Sequence, residues 1–344
     1  MNLKALTIEG YKSIGKITIS NPNPFTVFVG PNASGKSNIF EAIEFFTLCD
    51  TTTPTSAINL FGKYADIINR VNFNDSSKIK LEVNLEGYIT DLNIYASPNN
   101  IDEIDRGKIG IGISTNLLGI IEKKNPPNTY IRSNGSYYQF FNFTRLFAGN
   151  SRLLKQNLQD DSKLNIDASN LEKVLKRILK DENKREEIFE ILQLLIPGFE
   201  RVEILSSELS GRDDMIIYET NLKKPLHRGL ISDGTYNILA IIAALYQSDT
   251  PQFLCIEEPE NGLNPFVVKE LVNIIRDICE EKGHYVWLNT HSQSLVSVLT
   301  KEEIIIVEKK NGLTEIKQIQ DMNLHGLRMD DALYTNSIGG GNPW

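Results

Sequence analysis

The chain has 344 residues, of which 41% are apolar and 23% are charged. This length allows two domains or one large domain with an insertion, and the composition excludes collagen-like and wholly disordered chains. A formal net charge of −8 argues against a protein that coats nucleic acid with a broad basic surface, although a local basic groove would not show in that sum.

The cysteines and the apolar stretches bear on where the chain resides. Cys49, Cys255 and Cys279 lie far apart in the sequence, so we predict neither a disulfide framework nor a zinc site. Isolated cysteines are typical of a reducing cytoplasm. No apolar stretch has the length of a membrane span, and the first residues follow a strand-like pattern rather than that of a signal peptide. We expect a cytoplasmic protein without a membrane partner.

The chain opens with predicted strands. Apolar residues from Leu3 to Ile8 predict the first, which ends near Gly10 and is followed by Tyr11-Lys12-Ser13-Ile14. Ile17 and Ile19 alternate with polar residues, as in a half-buried strand.

A buried strand, a glycine-rich loop and a helix are predicted next. The apolar run Phe25–Val29 has the length of a strand, and apolar residues recur at helical spacing from Ile39 onwards. The segment between them fits the phosphate-binding pattern G-x-x-x-x-G-K-[ST] at every fixed position. Its residues are Gly30, Pro31, Asn32, Ala33, Ser34, Gly35, Lys36 and Ser37.

This pattern has a clear chemistry. Gly30 and Gly35 permit a tight turn in which successive N–H groups point at phosphate oxygens. The following helix, in which Asn38 is the next residue, adds its positive N-terminal end. Lys36 reaches the β- and γ-phosphates, and Ser37 offers its hydroxyl to Mg²⁺. The sequence therefore predicts a site for a nucleoside triphosphate with Mg²⁺.

The middle of the chain is predicted to hold strands and then helices. Alternation of apolar and polar residues from Ile79 to Tyr95 indicates antiparallel strands with one wet face. Further along, Ser169-Asn170-Leu171-Glu172 fits a capping box, in which Ser169 caps an N–H and Glu172 reaches back. A second helix is predicted to end at Pro197-Gly198.

The second half alternates strands and helices, which implies a parallel sheet covered by helices. Strand-length apolar runs cover Phe253–Glu257, Tyr285–Asn289 and Ile304–Val307, with a helix between the first two. The strand of the phosphate-binding loop must join this sheet for a nucleotide site to close.

Two carboxylates end the first of these runs. Because side chains alternate along a strand, Glu257 and Glu258 point to different places. We expect Glu257 to hold Mg²⁺ through water and Glu258 to face the γ-phosphate as a general base or a water-positioning group. Two glutamates after a strand are often only a polar strand end, but the phosphate-binding loop and the following Pro259–Leu263 favour the functional interpretation.

A histidine ends the next predicted strand, in the segment Leu288–Ser292. From that place His291 could reach a γ-phosphate, which favours a functional interpretation. The other histidines receive a structural one. They are His227, His284 and His325.

A short polar segment precedes an apolar helix that begins near residue 235. It consists of Ser232, Asp233, Gly234 and Thr235. One interpretation is a plain N-cap, supplied by Ser232 or Asp233. The other is a second phosphate-binding helix end that uses the Ser232 hydroxyl and the Gly234 backbone. The residues alone leave both open.

Together, the segments GPNASGKS, ISDGT, CIEEPENGLNP and LNTHS resemble the motifs of the ABC-type ATPases of the SMC, RecF and OLD group, in particular the stand-alone ATPases of bacterial anti-phage defence. The segment around Lys12 is similar to the group's N-terminal basic motif, which adds Lys12 to the nucleotide-binding residues. The resemblance covers most of the chain. It implies an α/β P-loop fold of the ABC head type, a mixed sheet with an antiparallel β lobe and a helical insertion.

The resemblance also implies a shared active site. In such heads, the signature motif docks on the γ-phosphate held by a second subunit, and two ATP molecules are sandwiched in a dimer. Here the signature acting in trans would be Ser232, Asp233, Gly234 and Thr235. Glu258 would activate water, His291 would sense the γ-phosphate, and residues 261–264 would form the D-loop at the interface. Gln139 is our candidate for the Q-loop glutamine at the metal.

The resemblance is not complete. Glu257 stands where most P-loop proteins have aspartate, and Asn264 occupies a D-loop position often filled by histidine or aspartate. We expect an N-terminal ATPase lobe over residues 1–95, an inserted β and helical lid region over 96–225, and a C-terminal ATPase lobe over 226–344. The insertion is short for an SMC coiled coil. Little chain follows His291, so any nuclease or toxin is expected to be another polypeptide.

These expectations combine into one main hypothesis and two alternatives. The main one is an ATPase that pairs or assembles further on binding ATP and regulates a separately encoded nuclease or toxin in defence against phage or plasmid DNA. The first alternative is a RecF-like DNA-repair clamp that binds DNA. The net negative charge of the chain disfavours this alternative. The second is a nucleotide-gated scaffold with little turnover.

Overall fold

The computed structural model describes residues 3–52, 54–71, 78–85, 88–95, 110–117, 142–147, 161–206, 213–324 and 326–340. The chain forms two compact units, one of residues 1–143 with 300–344 and the other of residues 144–299. The division into lobes at residues 95 and 225 follows the order of motifs along the chain and stays a prediction.

The described residues form strands and helices in the following order. The strands are β1 (Leu3–Tyr11), β2 (Ile14–Ser20), β3 (Phe25–Val29), β4 (Lys78–Leu85), β5 (Tyr88–Tyr95), β6 (Gly110–Leu117), β7 (Phe143–Phe147), β8 (Phe199–Ser206), β9 (Asp213–Glu219), β10 (Leu226–His227), β11 (Phe253–Glu257), β12 (Tyr285–Thr290), β13 (Ile304–Lys310) and β14 (Leu313–Gln318). The α-helices are α1 (Lys36–Thr51), α2 (Pro54–Leu60), α3 (Tyr64–Ile67), α4 (Leu171–Ile178), α5 (Glu182–Leu195), α6 (Asp233–Tyr246), α7 (Pro265–Lys282), α8 (Gln293–Val296) and α9 (Met329–Tyr334).

The first unit is built on a mixed sheet. Its strands lie in the order β6-β5-β4-β1-β2-β14-β13-β3. Strands β1, β2, β4, β5 and β6 are joined by antiparallel pairings, which confirms the strands predicted around residues 79–95. Strand β3 pairs in parallel with β13, and all five of its residues are buried. The predicted strand before the phosphate-binding loop is therefore confirmed as a core strand.

The second unit holds the other parallel pair. Strands β11 and β12 are parallel, with β7 on the far side of β11, and every residue of β11 and β12 is buried. Helix α7 begins after Asn264, whose side chain accepts from the N–H groups of Phe266 and Val267, and ends at Gly283 in a left-handed conformation. A separate antiparallel sheet has the order β10-β9-β8.

The capping box predicted at Ser169 is wrong. Helix α4 follows Asn170, and no side chain caps it. The Ser169 hydroxyl instead accepts from the side-chain amide of Asn165, and the Asn170 side chain accepts from the Asn165 N–H. Glu172 does not reach back either, because it is buried and accepts a hydrogen bond from Arg228 at 2.6 Å. The carboxylate that the capping box would have used is therefore engaged in the long-range ion pair with Arg228.

Two further sequence expectations concern helix length and cysteine state. Helix α5 ends before Pro197-Gly198, as predicted. All three cysteines are buried and unpaired by disulfides. In the part of the chain that the structure describes, the helices are too short or too polar to traverse a bilayer.

Candidate functional site

The phosphate-binding loop follows β3, and steric contacts fix the two glycines at its ends. A Cβ on Gly30 would overlap the backbone oxygen of Val307 in β13. Gly35 has φ of +105°, and a Cβ there would overlap the Thr314 hydroxyl in β14. Because these strands lie directly behind the loop, a larger residue at either position would displace it. Asn32 and Ala33 are exposed between the two glycines.

The N-terminus of α1 fits an anion. Gly35 is the N-cap, no side chain caps the helix, and the first turn carries no acidic residue. The first N–H groups of a helix and its dipole attract negative charge, and here no carboxylate of that first turn competes for them. Ser37 lies in this first turn and Asn38 follows it.

Lysine and serine side chains complete the loop. Lys36 Nζ donates to the backbone oxygens of Gly30 and Pro31 at 2.7 and 3.0 Å, which keeps the ammonium within the loop. Within the described residues, the buried Ser34 hydroxyl has no hydrogen-bond partner. Buried polar atoms without a partner are rare in folded proteins, so the Ser34 hydroxyl is available to a bound group. The residues present therefore fit a triphosphate with Mg²⁺.

The N-terminal basic motif is connected to this loop by hydroxyl groups. Ser13 Oγ accepts from Asn38 Nδ2 at 2.7 Å and lies 2.6 Å from Thr314 Oγ1. Thr314 in turn donates to the backbone oxygen of Ser34 at 2.9 Å. The turn that carries Lys12 is thus anchored to the loop through its neighbour in sequence.

Lys12 itself forms an ion pair in this structure. Its ammonium contacts the Glu41 carboxylate in α1, which also accepts from the Tyr11 hydroxyl at 3.1 Å. Lys12 has a left-handed backbone, with φ of +46°. Its predicted contact with a nucleotide stays a prediction.

In the second unit, Glu257 ends β11 inside a buried network. Its Oε1 accepts from the Arg145 guanidinium of β7, and the two side chains are 2% and 5% exposed. Its Oε2 accepts from Asn289 Nδ2 at 3.0 Å. A buried carboxylate requires such compensation. Both oxygens of Glu257 thus have protein donors, and its predicted role at Mg²⁺ stays a prediction.

Glu258 differs from its neighbour in exposure and in backbone conformation. Its side chain is 38% exposed, and its φ of +50° lies in the left-handed region. Its backbone N–H donates to the backbone oxygen of Asn289 at 3.0 Å. Its Oε2 accepts from Asn261 Nδ2 at 2.9 Å, and His291 Nδ1 lies 3.6 Å from its Oε1. The structure thus brings together Glu258 and His291, the two catalytic residues predicted in this half of the chain.

A third carboxylate lies in the same loop. Glu260 Oε1 accepts from the Thr290 hydroxyl, whereas its Oε2 is buried without a hydrogen-bond partner among the described residues. Burial raises the pKa of Glu260 above its usual value, against the lowering effect of the Thr290 hydrogen bond.

The predicted signature residues form the N-terminus of α6. Ser232 is the N-cap, and its hydroxyl accepts from the Thr235 N–H at 3.1 Å. Ser232 and Asp233 are exposed, whereas Gly234 is buried. The capping interpretation is therefore confirmed, and the exposed position of Ser232 leaves the phosphate-binding one available.

Some of these residues escaped the sequence analysis. Arg145 lies within the apolar run of β7, so a polar residue at a core position was the available signal. Thr314 gave none. Gln139 and His325 lie outside the described residues. His284 is buried, which lowers its pKa, and His227 is exposed.

Comparison with solved structures supports the fold. The Smc head in a crystal structure of the SmcHead bound to the C-winged helix domain of ScpA superposes with a TM-score of 0.56. The alignment covers 92% of this chain and 97% of the other, at 16% sequence identity. The predicted ABC head-type P-loop fold is thereby confirmed.

Curated relatives match over shorter stretches. The chromosome partition protein Smc of Halothermothrix orenii is 54% identical over 46 residues, which is 13% of this chain and 4% of that protein. The DNA replication and repair protein RecF of Lactobacillus acidophilus is 29% identical over 93 residues, 26% of this chain and 24% of that protein. The chain therefore spans at most about a quarter of these relatives' length.

A family model covers most of the chain. Residues 25–297 match the family described as "AAA domain, putative AbiEii toxin, Type IV TA system". This range includes the phosphate-binding loop, the signature segment, the paired carboxylates and His291. The chain belongs to this AAA-domain family and has the P-loop fold of an Smc head.

Proposed function

We propose that this chain binds and hydrolyses ATP with Mg²⁺, pairs through two sandwiched ATP molecules, and regulates a separately encoded effector. The observation that carries the proposal is the phosphate-binding loop. Its glycines are sterically required, and the helix that follows begins without an acidic residue. Such a helix end, with Lys36 beside it, has the chemistry of a triphosphate site.

Each residue of the proposed site has a separate role. Lys36 binds the β- and γ-phosphates, and Gly30 to Asn38 supply backbone and hydroxyl contacts. Ser37 and, through water, Glu257 hold Mg²⁺, which neutralises phosphate charge when bound. Gln139 remains the proposed Q-loop ligand. Glu258 takes a proton from the attacking water, and His291 binds the γ-phosphate.

Pairing would place the signature of one copy on the nucleotide of another. Ser232 and Asp233 are exposed at the start of α6, which supports a role outside their own chain. The Ser232 hydroxyl and the Gly234 N–H would then contact the γ-phosphate in trans.

The comparisons support a partner encoded elsewhere. The family description places the matched AAA domain, as a putative toxin, in a toxin–antitoxin system, which by its name has a second component, and the similar Smc head was crystallised with a domain of another protein, ScpA. We propose a nuclease or toxin as the effector, acting in the cytoplasm against phage or plasmid DNA.

Light scattering tests the pairing step. We expect the mass of the Glu258→Gln variant to double with ATP and Mg²⁺, because binding without turnover traps the paired state. With ADP, the mass should remain that of the monomer. An unchanged mass with ATP, for both this variant and the wild type, would contradict pairing. Purification beside the neighbouring gene products tests for the effector, and recovery of the chain alone would contradict that part.

A RecF-like clamp on DNA is the second candidate, and the match to RecF favours it. Lys223 and Lys224 are exposed shortly before the signature. DNA binding that requires ATP and weakens steeply with salt would support this candidate. Binding that ignores ATP would contradict it.

A further inference from the structure

Two asparagines connect helix α6 to the Glu258 carboxylate. Asn237 Nδ2, in the second turn of α6, donates to the backbone oxygen of Asn261 at 2.8 Å. Asn261 Nδ2 then donates to Glu258 Oε2 at 2.9 Å, and the Asn261 N–H donates to the backbone oxygen of Glu258 at 3.1 Å. Asn261 is therefore bonded to α6 on one side and to Glu258 on the other.

Close backbone packing reinforces this connection. A Cβ on Gly234, in the first turn of α6, would overlap the backbone oxygen of Gly262. Gly262 has φ of +75°, a conformation that favours glycine. Contact this close transmits displacement, because packed backbone has no room to absorb it. A displacement of the start of α6 would therefore also move the loop of residues 261–262.

Glu258 needs external support to hold one orientation. Its side chain is 38% exposed, and an exposed glutamate otherwise samples several rotamers. Asn237, by contrast, is a buried amide on an apolar helix, and buried amides are retained in bonds because losing them costs free energy. The α6 side of this connection is therefore held in place by Asn237, and Glu258 is the side chain that the connection orients.

We infer that Asn261 is a positioning residue: it holds Glu258 by Oε2, leaves Oε1 for the attacking water, and couples this orientation to the N-terminal turn of α6. The inference rests on the proposed ATP hydrolysis. Oε1 is also the oxygen near His291, at 3.6 Å. A contact made on Ser232 by a second copy is therefore transmitted to the carboxylate that activates water.

The first test separates kcat from KM. Asn261→Asp keeps the size of the side chain but replaces the donor with a carboxylate facing Glu258. We expect kcat to fall about 10- to 100-fold, as misplacement of a catalytic group does, with KM for ATP within about twofold. The matched control is Asn273→Asp, at an exposed position of α7, which should change neither.

The second test needs no turnover. Asn261→Asp should lower the melting temperature by about 2 °C, because like charges would face each other. Glu258→Gln combined with Asn261→Asp exchanges donor and acceptor and should restore the melting temperature. Failure of the double variant to recover would overturn the contact itself.

The third test examines the connection to α6. If Asn237 and Asn261 act as one unit, Asn237→Ala and Asn261→Ala should lower kcat non-additively. Additive losses, or wild-type kcat in Asn261→Asp, would overturn the inference and leave the ATPase proposal standing. Absence of turnover in the wild type would overturn the proposed function, and this inference with it.

Discussion

The phosphate-binding loop and the carboxylate cluster around Glu257 and Glu258 are built by different means. The loop depends on backbone: two glycines without room for a Cβ, and a helix end that no side chain caps. The cluster depends on side chains, with Arg145 and Asn289 on Glu257 and Asn261 on Glu258. A site made of backbone is complete within a short segment, whereas a site made of side chains draws partners from distant parts of the chain.

The helix ends show the same contrast. The start of α1 has neither a cap nor an acidic residue, so its N–H groups suit a phosphate without rearrangement. The start of α6 is capped by Ser232 and carries Asp233 in its first turn. We therefore expect the loop to bind nucleotide in a single copy, and the signature to act only when a partner's nucleotide is brought to it.

The largest effect on nucleotide binding is expected for Lys36→Ala. Loss of charged hydrogen bonds to the phosphates should weaken ATP binding about 100-fold. Isothermal titration calorimetry measures this, with Lys16→Ala, at an exposed position of β2, as the matched control. Equal affinity in Lys36→Ala and the wild type would show that the loop is not the nucleotide site.

Arg145→Met tests the dependence of the cluster on side chains. Leaving Glu257 buried without its cation should cost about 3–5 kcal/mol of unfolding free energy. Urea denaturation measures the loss. Adding Glu257→Gln removes the stranded charge, so the double variant should be more stable than Arg145→Met. A double variant that loses the sum of both single effects would contradict the ion pair.

Gly234→Ala is expected to have an intermediate effect. Alanine favours a helix, yet its Cβ would overlap the Gly262 backbone, and such overpacking costs about 1–3 kcal/mol. Gly229→Ala is the control, since nothing lies within 4 Å of a Cβ there. Thermal denaturation compares the two. Similar melting temperatures would mean that α6 and the loop at Gly262 are not in contact.

The smallest effect is expected for Glu172→Gln and depends on pH. Burial raises the pKa of Glu172 above 4.5, so the folded state favours the protonated form and loses stability as pH rises through the raised value. The glutamine variant should be more stable than the wild type near about pH 8 and lose this advantage towards about pH 4. Melting curves across this range measure the difference, with the exposed Glu190→Gln as the control. If the difference in melting temperature between the glutamine variant and the wild type were the same at every pH, the raised pKa of Glu172 would be contradicted.

The same contrast explains what the sequence could predict. The loop was predictable because strand, glycines, Lys36 and helix are consecutive. The strand ends bearing Glu257 and His291 were predictable from apolar runs. Arg145 was not, because it lies 112 residues from Glu257, and neither was Thr314, 280 residues from Ser34. The capping box at Ser169 failed for the same reason, since Arg228 draws Glu172 away.

Mixing two inactive variants tests the shared site most directly. Lys36→Ala should bind ATP only weakly but keep a working signature, whereas Ser232→Arg should bind ATP but block pairing through its own signature. A mixed pair holds one intact site, made from the loop of the Ser232→Arg copy and the signature of the Lys36→Ala copy. We predict that mixing restores ATP hydrolysis that neither variant shows alone. Hydrolysis no greater than the sum of the separate variants would contradict a site completed by a second copy.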